Sequence, residues 1–349
     1  MTTVVVSDLV ATLPQGVPDA LAPGNKVVVT GCAGFIGSHL TESLLALGCQ
    51  VVGVDSLTDY YDPVQKRQNL ASCFEHTAFS FQETDLLEVD LVALLQDATV
   101  CFHLAAQAGV RASWGDNFTV YLANNVFTTQ RLLETCLVPA ISRNLTRFVY
   151  SSSSSVYGDQ TQLPVTERAL PQPRSPYGVS KLAGEHLCVL YAANYGVPTS
   201  SLRYFTVYGP RQRPDMAFRK YIEKAFAREP FQVYGDGSQT RDFTYVEDAV
   251  RANILAIDVP SQYEVFNVGG GTRIALRDAL AQLDELLTQQ APESPPMLQY
   301  ETVAKGDVRD TYADRAHFES VAGYQPTVSF TEGLKRQVNW MLARRRRSG

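Results

Sequence analysis

Short apolar runs and stretches of helical periodicity alternate along most of this chain. Lys26–Thr30 and Gln50–Val54 are continuous and valine-rich, and residues 79–83, 99–103, 148–152 and Thr199–Tyr204 share their texture. Continuous hydrophobicity marks strands buried on both faces, as in parallel sheets. Residues 38–47, 121–137 and the stretch through Lys181 to about Tyr195 space their apolar positions for one face of a helix, and Gly48 and Gly196 stop two of them. The alternation predicts an α/β fold.

Two regions break the pattern. Residues 1–24 follow a short valine run with Pro14, Gly16, Pro18, Pro23 and Gly24, which predicts an appended arm that docks without forming a domain. Beyond Tyr204, Gly209, Pro210, Pro214, Pro230, Gly235 and Gly237 punctuate shorter elements, and residues 292–296 read as a loop between a helix and a short strand.

Composition narrows the function classes. With 349 residues and 45% hydrophobic content the chain can build one large or two moderate cores. A formal charge of −6 argues against nucleic acid or an anionic membrane as partner, and the Arg344 to Arg347 cluster reads as a solvated tail. No run approaches the roughly 18 apolar residues of a span, and no lysine or arginine precedes the first apolar run. Neither a membrane span nor a secretory signal is expected, and the expected location is cytoplasmic. The cysteines at 32, 49, 73, 101, 136 and 188 sit mostly in apolar segments without metal-ligand spacing, which predicts buried free thiols and no metal.

Two constellations carry chemistry. The first strand breaks into Gly31-Cys32-Ala33-Gly34-Phe35-Ile36-Gly37 before the first helix. Strand, glycine turn, helix, strand is the context in which glycines let a backbone approach a pyrophosphate at a helix N-terminus. Asp55 closes the second strand, where a carboxylate accepts hydrogen bonds from a ribose diol and repels a 2′-phosphate, so NAD is favoured over NADP. Asp85-Leu86 follows a strand end where an adenine ring would lie. The small residues of His103 to Arg111, Leu104, Ala105 and Ala106 among them, let a cofactor rest on the backbone, and Asn125 joins the candidate cofactor contacts. His103 itself reads as a satisfied strand-end residue.

The second constellation is a strand ending in five serines, Ser151 to Ser155, followed by Tyr177 and Lys181. Four residues apart on a helix, the ammonium lies one turn from the phenol, favours phenolate and makes the tyrosine a general base, with a serine hydroxyl to hold the reacting oxygen. Arg203, Arg211, Arg213, Arg219 and Arg241 crowd the later region of an acidic chain and suggest anion recognition, of a nucleotide diphosphate or a carboxylate.

With these motifs in this order, residues 25 to 340 resemble the extended short-chain dehydrogenase/reductase family, specifically its nucleotide-sugar epimerases and dehydratases. The motifs are Thr30 to Ser38, Asp85-Leu86, Val156-Tyr157-Gly158 after the serines, Ser175-Pro176-Tyr177-Gly178-Val179-Ser180-Lys181, and Arg241-Asp242-Phe243-Thr244-Tyr245-Val246. The resemblance implies a Rossmann-type doubly wound parallel sheet with a smaller C-terminal α/β substrate domain. It places the NAD-binding domain at 25–204, with a returning segment at about 240–268, and the nucleotide-sugar-binding domain mainly at 205–345. It implies tightly held NAD, Ser153 as the catalytic hydroxyl beside Tyr177 and Lys181, Arg241 on the diphosphate and Asp307 on the nucleoside ribose. Ala304 stands where some members carry arginine.

Residues 103–111, Phe205 to Pro210 and Arg213 to Ala217 look most like the UDP-glucuronate 4-epimerases, although Arg211-Gln212 replaces their usual Trp-Gly. By that resemblance Thr206, Arg213, Ser154 and Ser155 lie near the sugar carboxylate, Arg111 is a further substrate contact, and the helices at 121–137 and 177–195 form a homodimer. The alternatives are a UDP-glucose/UDP-galactose 4-epimerase, a UDP-glucuronate decarboxylase, for which a glutamate is expected in the serine segment, and an inactive NAD-binding regulator. A 4,6-dehydratase would want an acidic pair where Ser154 and Ser155 stand.

Overall fold

The computed structural model describes residues 6–291, 297–302 and 308–348. The strands are β1 Lys26–Thr30, β2 Gln50–Val54, β3 Phe79–Gln82, β4 Ala98–His103, β5 Arg147–Ser153, β6 Thr199–Tyr204, β7 Thr206–Tyr208, β8 Pro230–Tyr234, β9 Thr240–Tyr245, β10 Tyr263–Val268, β11 Arg273–Ala275 and β12 Met297–Glu301. Seven form one sheet in the order β10-β6-β5-β4-β1-β2-β3, and every pairing in it is parallel.

The continuous apolar runs are buried on both faces of this sheet. Val27 and Val29 of β1 join a core with the helices Phe35–Ala46 and Val246–Leu255, while Val28 faces a second core built on Leu91–Leu95, Thr128–Thr135 and Pro176–Tyr195. Alternate residues of a strand point to opposite faces, so a sheet covered by helices on both sides needs no polar positions. Of residues 240–268, only β10 joins the large sheet. β9 instead pairs with β7 and β11 in a three-stranded sheet, and β8 with β12 in a two-stranded one.

The long helix Pro176–Tyr195 carries its own start and stop. Ser175 caps it by accepting from the Gly178 amide at 3.1 Å, Pro176 fits the first turn, and Gly196 ends it at φ 73°. The helical pattern of 121–137 proves less regular: Phe118–Tyr121 and Thr128–Thr135 are joined by a π-helical segment, Leu122–Phe127. The Thr128 hydroxyl bonds the carbonyl of Ala123, five residues back, in keeping with that wider turn. Residues 6–24 lie against the sheet domain: Leu21 is fully buried and the Thr99 hydroxyl donates to the Ala20 carbonyl at 2.7 Å. All six cysteines are buried and free. Among the described residues no helix is long and apolar enough to cross a membrane.

Beneath the serine strand lies a buried ion pair. Arg203 of β6 grips both oxygens of Glu185, its Nε donating to Oε2 at 2.9 Å, and the Ser152 hydroxyl donates to the same carboxylate at 2.7 Å. Arg203 also donates to the Tyr157 hydroxyl at 2.8 Å and the Glu167 carbonyl at 3.0 Å. Removing one partner strands the other charge in the interior. Arg203→Leu is therefore expected to lower unfolding stability by about 3–5 kcal/mol in urea titration. A midpoint equal to the parent's would show that the pair does not hold this helix to the sheet.

Candidate active site

Along the carboxyl edge of the large sheet runs a cavity of about 510 Å³. One end of its wall is the glycine turn: Gly31, Gly34, Phe35, Ile36 and Gly37, with Asp55, Asp85 and Leu86 beside it. Gly31 has φ 69°, and a Cβ there would stand 2.7 Å from the Ala105 amide nitrogen. A Cβ on Gly37 would meet the Gly31 carbonyl oxygen at 2.1 Å. The turn, the helix start and the strand end after β4 thus touch through bare backbone, leaving room above them. Gly34 caps the helix Phe35–Ala46 without a side chain, so its first-turn amides keep no side-chain partner at that end.

Asp55 is held by two amides, of Ala33 at 3.1 Å and Leu57 at 2.9 Å. Burial raises its pKa, while those amides and Lys66 act in the opposite direction. Leu104, Ala105 and Ala106 line the same cavity. Ser151 lines it too, and its hydroxyl oxygen is buried without a hydrogen-bond partner. Glycine turn, open helix N-terminus, ribose-competent carboxylate and orphan hydroxyl together fit a dinucleotide.

At the other end stand Tyr177, Lys181 and Arg213. Ser153, at the end of β5 and not itself on the cavity wall, lies close enough to Tyr177 to influence its phenol. Burial pushes the phenol above its ordinary value, against the charge of Arg213 and the Ser153 hydroxyl, which both lower it. The four-residue spacing puts Lys181 one helical turn from the phenol, and Arg213 is a further cation that favours phenolate. Lys181 Nζ donates to the Ser151 carbonyl at 2.8 Å and lies 5.2 Å from the Tyr150 ring centre.

Other candidates fall into two groups. His103 is buried, bonded to the Thr30 hydroxyl at 2.8 Å and the Thr129 hydroxyl at 3.0 Å, and burial with the Lys181 charge takes its pKa down to about 3. It is a neutral structural residue. Asn125 does not line the cavity: its amide accepts from Gln107 N at 2.7 Å and donates to Gln107 O at 3.0 Å and Ser180 Oγ at 2.9 Å. It braces the strand-end loop, while Asn124, one place earlier in the π segment, lines the cavity.

Ser154 and Ser155 form the short turn after Ser153, and Thr206 opens β7, none of them on the cavity wall. The Arg111 guanidinium lies 4.1 Å over the Tyr234 ring, and Arg241 Nη1 donates to the carbonyls of Thr240 at 2.8 Å and Arg309 at 3.0 Å. Asp307 and Ala304 lie outside the described residues, as does the 292–296 loop.

The loop after β2 is a part of the wall that sequence reasoning missed. Thr58, Asp59, Tyr60 and Tyr61 line the cavity together with Lys66 of the following helix Pro63–Asn69, whose Nζ donates to the Thr58 carbonyl at 2.7 Å. A loop has no periodicity to read, and the paired tyrosines are the only signal there. The unusual Arg211-Gln212 pair is structural: Arg211 Nη2 donates to Glu42 Oε1 at 2.6 Å, and Gln212 accepts from Arg219 N at 3.1 Å and Gln337 Nε2 at 2.7 Å.

Comparison with known proteins agrees with this geometry. Residues 27–269 match the NAD dependent epimerase/dehydratase family. UDP-glucuronate 4-epimerase of Thermodesulfobacterium geofontis is 36% identical over 317 residues, covering 90% of this chain and 95% of its own. YtcB of Bacillus subtilis, an uncharacterized UDP-glucose epimerase, is 39% identical over 321 residues, covering 90% and 98%. The crystal structure of UDP-glucuronic acid 4-epimerase from Bacillus cereus with UDP-glucuronic acid and NAD superposes with TM-score 0.85 at 40% identity, covering 91% of this chain and 99% of that one.

The buried lysine makes stability pH-dependent. Burial pushes Lys181 down to about 7, from an ordinary value of about 10.4. A folded value below the unfolded one favours the neutral lysine, so this contribution is complete above the unfolded value and fades as pH falls toward 7. In ligand-stripped protein, Lys181→Met is expected to gain melting temperature relative to the parent as pH drops from 10 to 7. An offset equal at both pH values would contradict the shift.

Proposed function

The chain belongs to the NAD dependent epimerase/dehydratase family, and from that premise we propose that it is an isomerase converting UDP-glucuronate to UDP-galacturonate through a transient 4-keto sugar. The observation that carries this reading is the meeting of Tyr177 and Arg213 on the cavity wall, with Ser153 beside the phenol. A phenol and a hydroxyl serve one sugar oxygen, and a guanidinium beside them suits a carboxylate. The complex of the Bacillus cereus enzyme with UDP-glucuronic acid supports the substrate.

NAD, when bound, supplies a reversible hydride acceptor. Gly31, Gly34, Gly37 and the helix N-terminus would hold its pyrophosphate, Asp55 a ribose, and the Asp85-Leu86 corner its adenine. Tyr177 accepts the proton of the C4 hydroxyl and returns it after the sugar has turned, Ser153 positions that oxygen, and Lys181 favours the phenolate and would hold the nicotinamide ribose. Arg241 and Asp307 are the candidates for the diphosphate and the nucleoside ribose. The cofactor domain is read as the large sheet with its helices, and the substrate domain as most of the chain beyond Tyr204.

The reaction carries a hazard. Loss of hydride from C4 leaves a ketone β to the C5 carboxylate, and when the C5–C6 bond aligns with the carbonyl π system that bond breaks, carbon dioxide departs and the electron pair enters an enolate. An epimerase avoids this by fixing the carboxylate's direction until hydride returns to C4. Arg213, on the cavity wall, is the leading candidate for the clamp, and Thr206, Ser154, Ser155 and Arg111 are its candidate partners although none of them lines the cavity.

Incubation with UDP-glucuronate and chromatographic separation of products tests the reading. The parent is expected to form UDP-galacturonate. Tyr177→Phe keeps fold and cofactor and loses about a thousandfold or more in turnover, as removal of a general base does. Arg213→Ala or Thr206→Ala raises the share of UDP-pentose. Turnover of UDP-glucose with none of UDP-glucuronate would replace this reading with a neutral-sugar epimerase.

A homodimer is the second element. Val120, Leu122 and Phe127 on one helical stretch, with Val179, Leu190 and Tyr195 on the neighbouring helix, are exposed apolar side chains that a two-fold contact would cover. Six buried free thiols suit a reducing compartment, which favours the cytoplasm. Sedimentation at micromolar concentration is expected to give twice the chain mass; a monomer would remove the dimer.

A further inference from the structure

The Arg213 guanidinium already has a carboxylate partner within the chain. Its Nε donates to Asp215 Oδ1 at 2.9 Å and its Nη2 to Asp215 Oδ2 at 3.0 Å, a bidentate pair across a two-residue step. Pro214 stiffens that step, and the Met216 amide closes it by donating to the Arg213 carbonyl at 3.1 Å. Asp215 is held from the far side as well, because the Tyr60 hydroxyl donates to its Oδ2 at 3.2 Å. Tyr60 comes from the cavity-lining loop after β2 and rests on bare backbone at Gly109, where a Cβ would stand 2.4 Å from its oxygen.

A guanidinium has two edges able to make paired hydrogen bonds, one through Nε and Nη2 and one through Nη1 and Nη2. Asp215 takes the first. Arg213 lines the cavity, and its Nη1 makes no hydrogen bond among the described residues. We propose that Asp215 is a positioning residue for substrate specificity: by occupying the Nε edge and being braced by Tyr60, it turns the Nη1 edge of Arg213 toward the cavity and fixes the direction in which a sugar carboxylate is held. This rests on the reading of Arg213 as a carboxylate clamp and adds what aims it.

The charges agree with such a role. Although burial alone would raise the Asp215 carboxyl, Arg213 and the Tyr60 hydrogen bond hold it below its ordinary value, so it stays an anion at neutral pH. An anion on one edge of the guanidinium also tempers its attraction for a second anion on the other. The clamp thereby directs the carboxylate while leaving the sugar free to turn after oxidation. Long-range attraction depends on net charge, whereas direction depends on the bidentate geometry, so the partition between epimerised and decarboxylated product reads direction specifically.

The experiment uses the full chain with its bound cofactor and UDP-glucuronate, and measures the UDP-pentose share for Arg213→Ala, Asp215→Asn and Tyr60→Phe. Dinucleotide content, circular dichroism and affinity for UDP serve as controls. Asp215→Asn keeps size and one acceptor but loses the ionic fork, and is expected to raise the pentose share about tenfold or more, on the scale of one charge-assisted hydrogen bond. Tyr60→Phe, which removes only the brace, raises it less. If Arg213→Ala raises the share and Asp215→Asn does not, the clamp stands and this proposal falls. If Asp215→Asn slows turnover or weakens UDP binding with the share unchanged, Asp215 is merely structural and the proposal is overturned. If Arg213→Ala leaves the share unchanged, the clamp reading itself fails and the proposal goes with it.

Discussion

The candidate site depends on one close approach, that of the helix Pro176–Tyr195 to the end of β5. At Gly178 a Cβ would lie 2.5 Å from the Ser155 carbonyl oxygen, and at Gly184 one would lie 2.2 Å from the Tyr150 hydroxyl. Two glycines, six residues apart, let helix backbone meet the serine strand where any side chain would hold it off. Only at that separation does the Lys181 ammonium reach the Ser151 carbonyl and Tyr177 come close to the end of β5. The Glu185–Arg203 pair then fastens the same helix to β6 one turn further on.

Ionisable groups at this junction are kept close to their neutral forms by burial. The phenol of Tyr177 is raised, the ammonium of Lys181 is lowered to about 7, and His103 behind them is lowered to about 3. Desolvation is the largest cause in all three, so burial disfavours the charged form of each. Arg213 is the exception: Asp215 keeps it charged in spite of its surroundings. A permanent cation next to near-neutral acid and base groups suits a site that must hold an anion while moving a proton.

A polar network around Arg211 and Gln212 ties the segment after β7 to the large-sheet side. Arg211, at φ 64°, reaches Glu42 on the first helix of the cofactor side, and the His39 ring bonds the Pro210 carbonyl at 3.0 Å. Gln212 is buried and bonded to the Val207 carbonyl, the Arg219 amide and Gln337. Where relatives are expected to place Trp-Gly, a polar network takes over the packing. The substitution therefore concerns how the segment carrying Arg213 is anchored, and leaves Arg213 itself on the cavity wall.

How much of this was legible before folding depends on the range of each interaction. Strands buried on both faces, the glycine turn at Gly31 to Gly37, the cap at Ser175 with Pro176, the stop at Gly196 and the four-residue spacing of Tyr177 and Lys181 are local, each set by a few neighbouring residues and a fixed helical or strand period. The sequence by itself therefore determined the α/β class, the glycine turn and the helical spacing of Tyr177 and Lys181. It did not determine that Tyr60, far from Asp215 along the chain, would brace it, that Asn124 and not Asn125 would face the cavity, or that Arg213 would add its charge to the surroundings of Tyr177. Those outcomes rest on a loop without periodicity, on a π turn that rotates side chains away from their α-helical directions, and on distances between segments brought together only by the sheet. Electrostatic influence falls with separation in space, and separation along the chain carries no record of it.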